Sequence, residues 1–336
     1  MPMSTKFNER RSRSPAPPLS STPMSSIEGL GHTRIPLAHG SGSMPVAGFG
    51  TLIADRHAAK QAIAAALQTG FRHLDAAERY LNEDVVGDAM KQAFDEGTLT
   101  REELFVTTKL WNTNHRPKRV RPAFEASLRR LQLDYLDLYL VHTPFAFQPG
   151  DEMDPRDEHD RPIYDNGVTL VDTWRAMERL VDEGRCRAIG LSDIALPALQ
   201  EIVAAARILP AAVQVECHPY LPEWELLEFC QQHGIVLLAF APLGHGMEPR
   251  ITDDPVIQAI ARRVQQSPAQ VALSWAAQRG TAFLTTSTDP AHIAQNFDLA
   301  ALPGDAMQAM RQDIRTRVRL NAVVETGVPG FVPRRA

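Results

Sequence analysis

The chain has 336 residues, 44% of them hydrophobic, a net charge of −5 and an isoelectric point near 6.1. That balance excludes a basic nucleic-acid surface, and no apolar run is long enough to span a bilayer. Three cysteines without a CxxC pair (Cys186, Cys217, Cys230) point away from a disulfide framework or a zinc site and towards a reducing, cytoplasmic setting.

Residues 1–30 differ in composition from the rest, with Arg10, Arg11, Arg13, a proline cluster and many serines, and are expected to be a disordered tail. Two other readings stay open: a transit peptide, weakened by Glu9 and the prolines, and a start codon assigned too early. Residues 33–37 and 44–46 flank a Gly/Ser-rich stretch and predict a β-hairpin. Strands and helices then alternate. A helix over 58–69 stops at Gly70, and 71–75 reads as a strand. Helix 83–94 follows, then strand 104–109. Val120, Phe124, Leu128 and Leu131 mark one helix face. Strand 135–142 comes next, then a helix through Leu170, Trp174, Met177 and Val181.

The short apolar runs 187–191, 212–215 and 235–239 suit strands buried on both faces, and 281–284 is a last short strand. Helices over 199–205, 223–232, 256–264 and 269–277 lie between or after them. Counted from 46–48, eight strands alternate with helices, and no G-x-G-x-x-G follows the first. The expectation is an α/β fold, a closed (β/α)8 TIM barrel with an N-terminal β-hairpin and extra C-terminal helices and a loop, occupying 31–336 as one domain.

Polar residues stand at the carboxyl ends of three consecutive strands. The runs are Gly70-Phe71-Arg72-His73-Leu74-Asp75-Ala76-Ala77-Glu78-Arg79-Tyr80, Val106-Thr107-Thr108-Lys109-Leu110-Trp111-Asn112 and Leu138-Tyr139-Leu140-Val141-His142-Thr143-Pro144. Reducing a carbonyl builds negative charge on its oxygen, and a donor must protonate it. Tyr80 is the candidate acid. A free phenol titrates near 10, and the ammonium of Lys109 is expected to lower it. Asp75 would hold that lysine, and His142 would orient the oxygen. Singly, each residue has a bland reading as a cap or a solvated side chain. Four of them on three consecutive strand ends favour a site.

With these strings the chain resembles the aldo-keto reductases along most of residues 33–300. Further matches are Gly48-Phe49-Gly50-Thr51, Gly190-Leu191-Ser192, Gln214-Val215-Glu216-Cys217-His218-Pro219-Tyr220, Ala241-Pro242-Leu243-Gly244 and Ser267-Pro268-Ala269-Gln270. The resemblance implies a (β/α)8 barrel and an NADPH-type cofactor extended across its mouth. It also implies Asp75, Tyr80, Lys109 and His142 as the catalytic four. A glutamate replaces the histidine in the steroid 5β-reductase subgroup, so His142 argues against double-bond reduction. Cofactor contacts are implied at Thr51, Ser192, Asp193, Gln214, Phe240, Leu243, Gly244, Thr286, Ser287, His292 and Asn296. Substrate contacts are implied at Leu52, Arg79, Trp111 and Thr143, with Phe145 and Phe147 close by.

The chain also departs from the family pattern. Asp193 stands where an Asn helps grip the nicotinamide carboxamide. A carboxylate only accepts hydrogen bonds, and its charge should favour the oxidised, cationic ring. Phe240 offers stacking without a hydroxyl, and Ala241 replaces a serine. Thr286 and His292 replace the two cations that clamp the 2′-phosphate. A charge-assisted contact is worth roughly 1.5–3 kcal/mol, so NADH and NADPH become comparable and a relaxed or NADH-leaning preference is expected. Arg79 could receive an anionic substrate group, or pair with Glu78 or an acid in 151–160. The expected activity is reversible NAD(P)H-dependent reduction of an aldehyde or ketone. Its partners are a small carbonyl or alcohol substrate, with no nucleic acid, membrane or metal. The rival is a cofactor-binding regulatory or interaction subunit on the same barrel, like the potassium-channel β subunits.

Overall fold

The computed structural model describes residues 29–38 and 41–321. Residues 1–28 of the expected tail, the hairpin tip at His39 and Gly40, and the C-terminal residues 322–336 lie outside the described residues. The expected tail boundary shifts slightly. Gly29 and Leu30 already belong to the folded body, with the Leu30 N–H donating to the Leu299 carbonyl at 2.9 Å.

The hairpin pairs β1 (Arg34–Pro36) with β2 (Ser43–Pro45), antiparallel, Ile35 opposite Met44. Eight parallel strands then close a barrel: β3 (Ala47–Gly50), β4 (His73–Asp75), β5 (Phe105–Leu110), β6 (Leu136–Val141), β7 (Cys186–Ser192), β8 (Ala212–Glu216), β9 (Val236–Phe240) and β10 (Ala282–Thr285), with β10 returning to β3. Nearly every strand residue is buried. That is why these segments read as continuous apolar runs: one face fills the barrel and the other meets helices.

Helices α1 (Arg56–Thr69), α2 (Glu83–Asp95), α3 (Pro117–Leu131), α4 (Leu170–Asp182), α5 (Leu196–Ala205) and α6 (Trp224–Gln232) each follow a strand. Two helices, α7 (Pro255–Val264) and α8 (Pro268–Gln278), separate β9 from β10, and α9 (Pro290–Phe297) and α10 (Gly304–Gln312) are the last helices among the described residues. Their starts are written locally. Asp55, Asp254 and Asp289 cap α1, α7 and α9, and Thr169 and Ser267 form capping boxes on α4 and α8. Gly70 ends α1 at φ +124, in the region glycine favours.

The hairpin seals the lower end of the barrel. Leu37 and Met44 pack with Phe105, Leu138, Val236 and Leu284 in one apolar cluster. Above this floor His73 is fully buried, its Nε2 2.9 Å from Thr107 Oγ1. Burial, then the charges of Lys109 and Arg34, push it down to about 3, so it is neutral. Gly48 makes room for the ring, since a Cβ there would stand 2.8 Å from His73 Nδ1.

A similar fit limits β7. A Cβ at Gly190 would meet the Ala212 carbonyl oxygen at 2.3 Å and Leu140 Cδ2 at 2.7 Å. Gly190→Ala is therefore expected to cost about 1–3 kcal/mol through overpacking, seen as a lower melting temperature. Gly150→Ala, with nothing within 4 Å of its Cβ, should leave the melting temperature in place.

Candidate active site

The four expected catalytic side chains meet at the open, carboxyl end of the barrel. Asp75 ends β4, Lys109 lies one residue before the end of β5, and His142 follows β6 directly. Tyr80 closes a 3-10 turn, Glu78–Tyr80, and Leu81 then turns the chain at φ +58. Glu78 ties that turn to the next strand exit. Its carboxylate accepts from the Trp111 N–H at 3.2 Å and from Asn114 Nδ2 at 3.1 Å. This use of Glu78 is not visible in the spacing of the sequence, because it depends on which strand lies alongside.

Lys109 is completely buried and donates from Nζ to Asp75 Oδ2 at 2.6 Å, to the Ala76 carbonyl at 2.9 Å and to Tyr80 Oη at 3.2 Å. Burial alone would lower its pKa. The Asp75 carboxylate and Tyr80 outweigh that, and the ammonium ends above its ordinary value. Asp75 spends its other oxygen on Gln214 Nε2 at 2.8 Å.

Lys109 lowers the tyrosine as expected, but another influence outweighs it. Burial is the largest influence on Tyr80 and raises its pKa. Lys109 pulls it down, while Asp75 and Asp193 push it up, and the net result lies above the ordinary phenol value. Tyr80 thus holds its proton at neutral pH and is built as a donor. His142 packs edge-on to Tyr80 and to Trp111, with ring centroids 5.8 and 5.1 Å away. Burial, then Lys109, Arg79 and His115, keep it well below its ordinary value, so the imidazole is neutral.

Tyr80 and His142 open onto a cavity of about 350 Å³. The expected substrate residues Leu52, Arg79, Trp111 and Thr143 all line it, as do Phe145 and Phe147. Asn112, Pro155, Arg156 and Pro162 also line it and were not anticipated, beside Asp154 from the acidic stretch 151–160. Most come from the long segment between β6 and α4, whose path no local pattern announces. This segment is tied to the catalytic side. Trp111 Nε1 donates to the Met153 carbonyl at 2.6 Å, and Arg79 pairs with Asp154 (Nη2–Oδ2 2.5 Å, Nε–Oδ1 3.3 Å). Of the two expectations for Arg79, pairing with an acid of 151–160 is the one found.

The expected cofactor residues form the other arc of the rim, at the ends of β3, β7, β8, β9 and β10. Thr51 Oγ1 donates to the Asp75 carbonyl at 2.9 Å. Ser192 ends β7, Gln214 lies in β8, and Phe240 ends β9 half-buried. Leu243 and Gly244 follow β9, the glycine at φ +69. Thr286 Oγ1 donates to the Gly50 carbonyl at 3.1 Å. Ser287 Oγ accepts from the Asp289 N–H at 3.1 Å. On α9, Asn296 is buried, and His292 is exposed with Nδ1 3.6 Å from Asp289 Oδ2. Asp193 faces the cavity from a left-handed residue (φ +52), its N–H donating to the Gln214 carbonyl at 2.9 Å. Burial, opposed by Arg319 and Lys109 and reinforced by Glu216, raises its pKa from 3.8 to about 7.

A model of the Aldo/keto reductase family matches residues 40–314. Aldo-keto reductase family 1 member A1 from Sus scrofa is 40% identical over 306 residues, covering 87% of this chain and 94% of the relative. Prostaglandin F synthase 1 from Bos taurus is 40% identical over 290 residues, covering 81% and 90%. The solved structure of the aldose reductase from Schistosoma japonicum superposes with a TM-score of 0.82 at 36% identity, covering 89% of this chain and 96% of that one.

Asp193 gives a pH-dependent stability. Its folded pKa of about 7 lies above that of an unfolded aspartate, so the native state binds more protons between the two. Its contribution is most favourable below pH ~4, declines up to pH ~7 and stays low above. Asp193→Asn is expected to flatten that decline and to raise the melting temperature at pH 8 more than at pH 4, checked by thermal denaturation across pH.

Proposed function

The chain belongs to the aldo/keto reductase family, and from that premise we propose that Tyr80, Lys109, Asp75 and His142 perform its reaction. The protein is an oxidoreductase that uses a nicotinamide cofactor, NADPH or NADH, to reduce an aldehyde or ketone, reversibly, to the alcohol. The observation that carries the assignment of residues is the buried triad in which Lys109 Nζ bridges Asp75 and Tyr80 Oη beneath the cavity.

A nicotinamide held along the rim by Ser192, Gln214 and Phe240 would supply the hydride that the carbonyl carbon receives. Tyr80 Oη gives its proton to the carbonyl oxygen as charge develops there. The phenolate that remains lies 3.2 Å from the buried ammonium of Lys109, which stabilises it. Asp75 holds that ammonium charged and in place. His142, neutral, donates a hydrogen bond that orients the oxygen. In the alcohol-oxidising direction the same groups run in reverse. Four groups in register, with the phenol protonated, favour turnover over a purely regulatory role for the barrel.

The rim residues fit a nicotinamide: an aromatic face at Phe240, a hydroxyl at Ser192, and an amide at Gln214 already beside Asp75. At the adenosine end, Thr286, Ser287, His292 and Asn296 offer hydrogen bonds but no permanent cation. The carboxylate of Asp289, 3.6 Å from His292, would repel a 2′-phosphate. This supports the NADH-tolerant reading over strict use of NADPH. Asp193, partly charged at neutral pH, adds a preference for the oxidised ring that grows with alkalinity. For substrates we favour aldehydes and ketones with an aromatic or apolar body that packs on Trp111, Phe145 and Phe147. An anionic substrate gains little from Arg79 while Asp154 holds the guanidinium.

Three measurements test this. Tyr80→Phe should lower kcat by about 10²- to 10⁴-fold with cofactor affinity kept, measured by fluorescence titration. The ratio of kcat/KM for NADPH over NADH should lie near unity, and a strong NADPH preference would reject the altered-clamp reading. Arg79→Leu should lower kcat/KM for acidic and neutral carbonyls alike, whereas a selective loss on acidic ones would restore Arg79 as an anion anchor.

A further inference from the structure

The two strand exits that hold the catalytic histidine carry three buried polar atoms with no hydrogen-bond partner among the described residues: Nδ1 of His142, Nδ2 of Asn112 and Nε2 of His115. The backbone brings their residues side by side. Leu110 pairs with Val141 across β5 and β6, and the His142 N–H donates to the Leu110 carbonyl at 3.1 Å. The chain then turns through a 3-10 segment, Asn112–Asn114, into His115. Thr143, next to the histidine, donates from Oγ1 to Asn112 Oδ1 at 2.8 Å. With that bond made, the amide's NH2 end is the one left over. Asn112 is fully buried and His115 nearly so.

A neutral imidazole has one N–H and one bare nitrogen, and its partners decide which is which. Burial keeps both rings neutral: His142 lies well below its ordinary value and His115 is pushed down to about 3. His115 is also close enough for its charge, if present, to weigh on His142. An amide NH2 donates and cannot accept. None of the three atoms bonds another directly, and one buried water between them would take the amide's N–H and offer its own to the bare ring nitrogens. A donor at Nδ1 of His142 keeps that nitrogen bare and sends the ring proton to Nε2, the nitrogen turned to the cavity.

We propose that Asn112, together with His115, is a positioning residue that fixes His142 in the tautomer protonated on Nε2, the form able to donate to the substrate oxygen. This rests on the reading above, in which His142 orients the carbonyl. A residue chosen only to fill space would have no reason to be an amide here. The Thr143 hydroxyl would find a carbonyl partner in Phe145 without it, at 3.3 Å.

The test is NMR of the full-length holoprotein labelled with ¹⁵N-histidine, the His142 signals being assigned by their loss in His142→Ala. Wild-type His142 should show a bare Nδ1 and a protonated Nε2. Asn112→Asp leaves only acceptors facing the ring and should move the proton to Nδ1, with kcat lowered roughly a hundredfold and cofactor affinity unchanged. Asn112→Ala should give mixed tautomers and roughly a tenfold loss. A merely structural Asn112 would lower the melting temperature in both variants without moving the tautomer signals. Where Asn112→Asp does not fold, His115→Ala gives the second reading and should also mix the tautomers. A wild-type ring protonated on Nδ1, or an Nε2 proton that persists in the folded variants, overturns the proposal. Tautomers that shift while kcat holds would instead sink the role of His142 in orienting the carbonyl and leave the tautomer assignment standing.

Discussion

The structure depends on one buried ion pair. Lys109 and Asp75 face each other at 2.6 Å with almost no exposure to solvent. A lysine in such a place is tolerable only because three oxygens surround its ammonium, from Asp75, Ala76 and Tyr80. Removing one partner of a buried pair costs about 3–5 kcal/mol, because the other charge is left stranded. The pair therefore ties the barrel's own stability to the catalytic arrangement. β4 and β5 must be neighbours in the right register, Asp75 opposite Thr107, for the charges to cancel. Once they do, the phenol of Tyr80 has a fixed cation beside it.

Much of this was legible in the sequence. Strands buried on both faces leave continuous apolar runs, and helix starts leave their caps, so the eight-fold alternation could be followed from residue to residue. The catalytic set was legible because it sits at strand ends, where the sequence changes abruptly from apolar to polar. The electrostatic balance was not. A sequence tells that Lys109 and Tyr80 can be close; only the depth of burial decides that desolvation outweighs the ammonium and leaves the phenol protonated.

Partners far apart in the chain were invisible for a different reason. Glu216 is the clearest case. It is fully buried, accepts from the backbone N–H groups of Leu320 and Asn321 at 2.7 and 3.0 Å, and meets Arg319 and His218. Burial would raise its pKa, yet the contacts to His218 and the two backbone N–H groups hold it below its ordinary value. It pins the segment after α10 beside Gly244 and within electrostatic reach of Asp193. Over a hundred residues separate Glu216 from that segment, and no spacing rule reaches so far. The Arg79–Asp154 pair, seventy-five residues apart, was foreseen only as one acid among several in 151–160.

The apolar floor made by Leu37 and Met44 has a consequence for the catalytic cycle. Beneath Tyr80 lie the sequestered ammonium of Lys109, a neutral His73 and then hydrocarbon, so no proton from solvent reaches the phenolate from below, even if Lys109 lends its own. Replenishment has to arrive through the mouth, the same route by which the alcohol departs. Recharging the acid and clearing the product thus share one doorway.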